Sequence, residues 1–232
     1  MRKGVFLGLL TVVIIIGTTT STQAASAVSS ALAGAEVAGR PYGLPLNPAA
    51  SARADVFSVQ VGAELPFDQG WHGYVAVYEP KDARGAALPG VLGMARFRSD
   101  TNSEATVTTY TYQLADRYSA HGALGLGFQL LRAQHEVTGE ASNAWQLDVG
   151  WQGELTPQLS LGVVGLGVLG TASSAAARKP EWQIGTALTL ADGFTAAFDM
   201  SDFRGWQPTT YALGAELAIT SHLLLRGGYA LT

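Results

Sequence analysis

The ten residues Trp145–Glu154, WQLDVGWQGE, restrict the possible folds more than any other stretch of this chain. Trp145, Leu147, Val149 and Trp151 alternate with Gln146, Asp148, Gly150 and Gln152, and Glu154 continues the polar set. A period of two places the large apolar residues on one face of a β-strand and the polar or small ones on the other. On a helix the same residues would be scattered around the axis. Two tryptophans on the apolar face suit a strand whose outside meets lipid, because aromatic rings collect at membrane interfaces.

The same pattern recurs along the chain. It predicts strands over Val56–Leu65, Trp71–Glu79, Val91–Arg98, Glu104–Leu114, Gly122–Ala133, Trp145–Glu154, Leu159–Leu169, Trp182–Leu190, Phe194–Ser201, Thr210–Thr220 and Leu223–Leu231. Ala191-Asp192-Gly193 reads as a hairpin turn, and Pro80–Pro89 and Thr171–Pro180 read as long loops, the first of them extracellular. The glycines of Gly162–Gly170 read as small inward positions of a regularly alternating strand. No helix-period segment falls between strands, which argues against an α/β fold. An even count of about ten or twelve strands is the usual number for a bacterial barrel.

Composition agrees with strands that have two environments. Only 14% of the 232 residues are charged, and 28 are glycine. Mean hydropathy is slightly positive at +0.18, yet after the leader no apolar run approaches the ~18 residues of a membrane helix. The net charge of −4 offers no basic surface for nucleic acid. With no cysteine, disulfides, thiolate chemistry and a cysteine-linked lipid anchor are excluded. Arg2 and Lys3, the apolar Val5–Ile16 and the small residues Thr18–Ser26 read as a secretory signal, cleaved after Ala24 or Ala27. The expected division is a signal peptide over 1–24, an N-terminal helical or plug segment over 25–54 and a β-barrel over 55–232. In the second of these, Ala25–Gly39 is expected to form one or two helical turns. Gly39–Ala50, with three prolines, is expected to be irregular and to tuck into the lumen.

A soluble sandwich or lipocalin-like barrel would share the alternation but bury its apolar face. Three features favour lipid outside. The polar face carries Gly and Ala with Asp and Glu, Trp and Tyr sit near strand ends, and many strands approach the ~9–11 residues of a tilted spanning strand. The fold expected is therefore all-β, an antiparallel outer-membrane β-barrel of the Gram-negative type, with a short, partly helical N-terminal segment near the lumen.

The chain also resembles a known group. Gly34-Ala35-Glu36-Val37-Ala38 followed by Asn47-Pro48-Ala49 before the first strand is similar to the N-terminal order of FadL-like outer-membrane proteins, in particular the smaller PorV/PorQ-type members. Three later segments resemble that group's hairpins: Leu147–Gly150 with Thr156–Gly162, Ala191–Phe194 running into Ala196–Asp199, and Leu213–Glu216 with Leu225–Tyr229. The sequence departs from the group in its short Ala38–Asn47 spacing and in ending at Thr232, where relatives continue into closing strands. The resemblance implies a barrel that passes hydrophobic small molecules, or an accessory barrel of a secretion system. Lipid is then its surroundings, and hydrophobic molecules or secretion-system proteins are its partners.

Candidate lumen residues are Asp148, Glu154, Asp199, Glu216 and Arg226, all on predicted polar faces. Glu216 and Arg226 lie symmetrically about Ser221, so a hairpin there would oppose them, more as a register-setting pair than as a pore charge. His72, His121, His135 and His222 are scattered, with no metal or triad spacing. No cofactor, metal or enzymatic activity is expected.

Overall fold

A computed structural model describes residues 46–53, 57–64, 71–80, 90–98, 105–135, 137–171, 180–191, 193–204, 207–219 and 224–231. The expected signal peptide and the expected helical turns over Ala25–Gly39 lie outside the described residues.

The described chain is a short 3-10 helix, η1 (Pro48–Arg53), followed by eleven strands. They are β1 (Ser58–Glu64), β2 (Trp71–Glu79), β3 (Gly90–Arg98), β4 (Ala105–Arg117), β5 (Gly122–His135) and β6 (Ala141–Glu154). Then come β7 (Leu159–Gly170), β8 (Glu181–Ala191), β9 (Phe194–Arg204), β10 (Gln207–Ala218) and β11 (Leu224–Leu231). All belong to one sheet in strict chain order, each antiparallel to its neighbours. The described residues form eleven strands, the number the alternation marked and within the expected range of about ten to twelve.

Strict up-and-down order also decides where the connections lie. The end at which the chain passes from η1 into β1, the near end, carries the β2–β3, β4–β5, β6–β7, β8–β9 and β10–β11 connections. The far end carries the others. Strand β2 therefore ends, and β3 begins, at the opposite end of the sheet from the end of β7 and the start of β8. Strand parity sorts the connections, not their length.

The polarity of the sheet is the reverse of a soluble core. Along β5, Ala123, Gly125 and Gly127 are buried while Leu124, Leu126, Phe128 and Leu130 are exposed. On β6, Gln146, Asp148, Gly150 and Gln152 are buried and Trp145 is exposed. Thr109, Thr111 and Gln113 of β4, Gln183 of β8 and Asp199 of β9 extend the buried polar face. Trp182, Ile184 and Leu188 of β8, Tyr211, Leu213 and Leu217 of β10, and Leu225 and Tyr229 of β11 extend the exposed apolar one. Strand β2 differs, because Tyr74 and Tyr78 turn to the buried side and Val75 is exposed.

Several strands outrun their apolar alternation. Strand β4 continues to Arg117, β5 to His135 and β9 to Arg204, and β6 begins at Ala141, ahead of the predicted start at Trp145. On β5 and β6 the outward positions beyond Leu130 and Trp145 are Arg132 and Asn143, which pair with each other. The ladder needs only backbone groups, so it persists where the apolar band has stopped.

Strand β7 departs from regular alternation. Its register with β6 jumps between Leu147↔Leu169 and Val149↔Gly165, leaving extra residues opposite Asp148. Gly167 has φ +58°, a left-handed conformation that glycine adopts without steric cost. The bulge turns Leu166 as well as Val164 to the buried face, where Leu46 packs on them. Gly162 is a small inward position as expected, whereas Gly167 belongs to a bulge.

Candidate functional site

The site is where the N-terminal segment meets the polar face. Helix η1 packs mainly on β4, β5 and β6. Its first residue is Pro48, whose fixed φ and missing N–H suit a helix start. Asn47 precedes it in the capping position and is fully buried. The Asn47 Oδ1 accepts the Ala49 N–H at 3.0 Å, and the Asn47 carbonyl accepts the Ala50 N–H at 3.0 Å. Asn47 Nδ2 in turn donates to the Trp151 carbonyl on β6 at 3.0 Å. One side chain thus starts the helix and ties it to the sheet.

Glycines open the seat. A Cβ on Gly150 would overlap the Asn47 Oδ1 and come within 2.9 Å of Pro48 Cδ. A Cβ on Gly125 would overlap the backbone at Pro48–Ala49, reaching 2.7 Å from Ala49 Cα. Ala49 and Ala52 close the contact against Ala115 and Ala123. Farther along, Ser51 Oγ donates to Gln113 Oε1 at 3.2 Å, and Arg117 Nε donates to the Ala52 carbonyl at 3.0 Å. At the near-end rim, Arg53 Nη2 lies 3.0 Å from Glu154 Oε1, and His121 Nδ1 lies 3.7 Å from Glu154 Oε2. The cleft among these residues, about 20 Å³, holds roughly one water and no larger molecule.

Deeper in, Asp148 is fully buried. Its Oδ1 accepts the Gly167 N–H at 2.7 Å and its Oδ2 accepts Gln129 Nε2 at 2.6 Å. The carboxylate therefore holds the β7 bulge to β6 and β5. Charge-assisted bonds of this kind are short and among the stronger ones.

The structure gathers Asn47, Pro48, Ala49, Asp148 and Glu154 into one region of the buried face. Asp199 of β9 also lies on the buried face, 3% exposed. Glu216 and Arg226 are directly opposed across the β10–β11 ladder, as their symmetry about Ser221 requires. Sequence reasoning missed Gln113, Gln129, Arg53 and Arg117. The first two were legible as polar residues at inward parity. The arginine contacts depend on where η1 lands, which no local pattern encodes. Among the described residues no three potential metal ligands cluster.

Comparison with protein-family models, with characterised proteins and with solved structures finds no match to this chain.

Proposed function

We propose that this protein is an outer-membrane β-barrel with a transport role, passing small hydrophobic molecules in a porin-like manner. The observation that carries the reading is the reversed polarity of the sheet. Gln113, Gln146, Asp148, Gln152 and Asp199 are buried, while Leu124, Leu126, Phe128, Trp145 and Trp182 are exposed. In water that arrangement would forgo burial of apolar area at ~25 cal/mol per Å². In lipid it is the favourable one, and closed antiparallel sheets are the β-structures that satisfy their backbone there. The outward set on β8, from Trp182 to Leu190, spans nine residues, within the length of a tilted spanning strand.

The seat of Asn47-Pro48-Ala49 on the polar face supports the FadL-like reading, in which the N-terminal segment lies in the lumen. On this reading the near end faces the periplasm, which puts the β2–β3 connection there instead of on the extracellular side expected from sequence, and η1 plugs the route. A non-conducting accessory barrel is the second reading, favoured by how completely Asn47–Ala52 is packed and hydrogen-bonded. Fractionation and gel mobility test the first premise. The protein is expected in outer membrane, with mobility that shifts on boiling; a soluble periplasmic protein overturns the proposal. Planar-bilayer conductance of refolded protein separates the two readings, and silence from a heat-modifiable barrel selects the second.

A further inference from the structure

We propose, resting on the barrel reading above, that the exposed face of β3–β6 at the far end binds the phosphate of anionic lipid headgroups. The strand register brings the groups together. Arg96 stands opposite Thr108, Thr108 opposite Arg132, and Arg132 opposite Asn143. These positions make one row across four strands. One row nearer mid-depth, the same ladders align Met94, Tyr110, Leu130 and Trp145. Residues directly opposite across a ladder share a face. Tyr110, Leu130, Trp145, Arg132 and Asn143 are all exposed, so both rows belong to the outer face. Trp145 also stacks on Phe128, with ring centroids 6.3 Å apart.

The order apolar, aromatic, basic matches the layers at a membrane edge. Aromatic rings collect at headgroup level. The arginine row lies two residues farther along each strand, about 7 Å at ~3.3 Å per residue. Strand tilt shortens that in height, and the headgroup layer is about 5–7 Å deep on each side. The row therefore falls among the headgroups and not above them. Among the described residues Arg132 forms no ion pair. The row contains no acid, and Glu140, in the β5–β6 turn, is beyond it. Arg98 stands in the next row, opposite Thr106. A guanidinium offers paired donors that match phosphate geometry. At the near end of the same strands the charge is of the other sign, with Asp116 opposite the exposed Leu124. A partner that fits the far end needs acyl chains for the Leu130–Trp145 row and an anion for the row beyond it. An anionic lipid has both.

The refolded chain in phosphatidylcholine vesicles with a minor share of phosphatidylglycerol tests this. Bromine is placed on the acyl chains of one lipid or the other, and quenching of tryptophan fluorescence reports which lipid is held against the protein; Trp145 borders the row. Phosphatidylglycerol is expected to be enriched several-fold over its bulk share, since a basic residue near an anionic surface favours it on the order of five-fold. Arg96→Gln combined with Arg132→Gln should bring the enrichment close to one, while Asp116→Asn should leave it unchanged. Salt should erase it in the unaltered chain, because the screening length falls from about 10 Å at 0.1 M to about 3 Å at 1 M. No enrichment, enrichment that survives the double variant or salt, or equal loss in Asp116→Asn overturns the site. If the double variant does not insert, Arg132→Gln alone and the salt series decide. Heat-modifiability of the same samples reports separately on the barrel. A heat-modifiable protein without enrichment sinks the lipid site alone, and a soluble protein sinks both.

Discussion

At the scale of single residues, two small features hold the N-terminal segment and the wall together. Gly150 leaves room for the Asn47 carboxamide, so Gly150→Ala forces η1 or β6 to shift. Overpacking of this kind costs about 1–3 kcal/mol. Gly227 has nothing within 4 Å of where its Cβ would be. Gly227→Ala should therefore leave stability within ~0.5 kcal/mol. Urea unfolding of vesicle-inserted protein compares the two, and equal midpoints would remove the Asn47 seat from the account. Asp148 makes a different demand. Asp148→Ala leaves the Gly167 N–H and the Gln129 amide without this acceptor, each worth about 1–3 kcal/mol when buried. Asp148→Asn keeps one acceptor oxygen and should lower the midpoint less. If the two variants unfold together, the carboxylate is not what holds the bulge.

At the scale of elements, each strand separates two environments, and substitutions should respond to which side they face. Leu126 on β5 is 56% exposed. On a surface wetted by water, Leu126→Arg would change stability by no more than ~0.5 kcal/mol. On a surface in lipid near mid-depth, it should cost about 2–4 kcal/mol. Gln134 faces the same way but lies beyond Arg132, past the apolar band. Gln134→Arg should then be close to neutral in either setting. Folding yield into vesicles, measured for both variants, distinguishes lipid from water without knowledge of any substrate. The ends of strands were the less legible part of these elements. Alternation marks the apolar band of β5 up to Leu130, whereas the β5–β6 ladder runs on to Gln134↔Ala141. The bulge in β7 was illegible for a related reason. Gly165 and Gly167 read locally as small inward positions, and only the partner Asp148 across the ladder makes Gly167 a left-handed residue.

At the scale of the whole molecule, the seat of the N-terminal segment bears on the proposed passage. Loss of Asn47–Arg53 removes the tie to Trp151, the bond to Gln113 and the ion pair with Glu154 together. The rim pair by itself contributes little, since both side chains are partly exposed and such pairs give about 0–1 kcal/mol. A chain with residues 47–53 replaced by a Gly/Ser linker is expected to insert and to conduct more than the intact protein in planar bilayers. Equal conductance would place the route elsewhere or remove it.

The amino-acid pattern alone determined that this chain builds strands, roughly where, and that each strand has one apolar and one polar face, because side-chain direction alternates with every residue. It also determined which residues share a face, as with Asp148 and Glu154, and that Glu216 opposes Arg226 once a hairpin turns at Ser221. Alternation is symmetric with respect to inside and outside; the small and acidic residues of the polar face pointed to it as the inner one, and the tertiary structure buries it. The landing place of Asn47–Arg53 was decided only by the tertiary structure. It depends on bare backbone at Gly125 and Gly150 of two strands brought together from distant sequence. In Trp145–Glu154 both levels meet. Its two faces were plain in the sequence, but that its buried residues receive the N-terminal segment and pin a bulge follows from what folds against them.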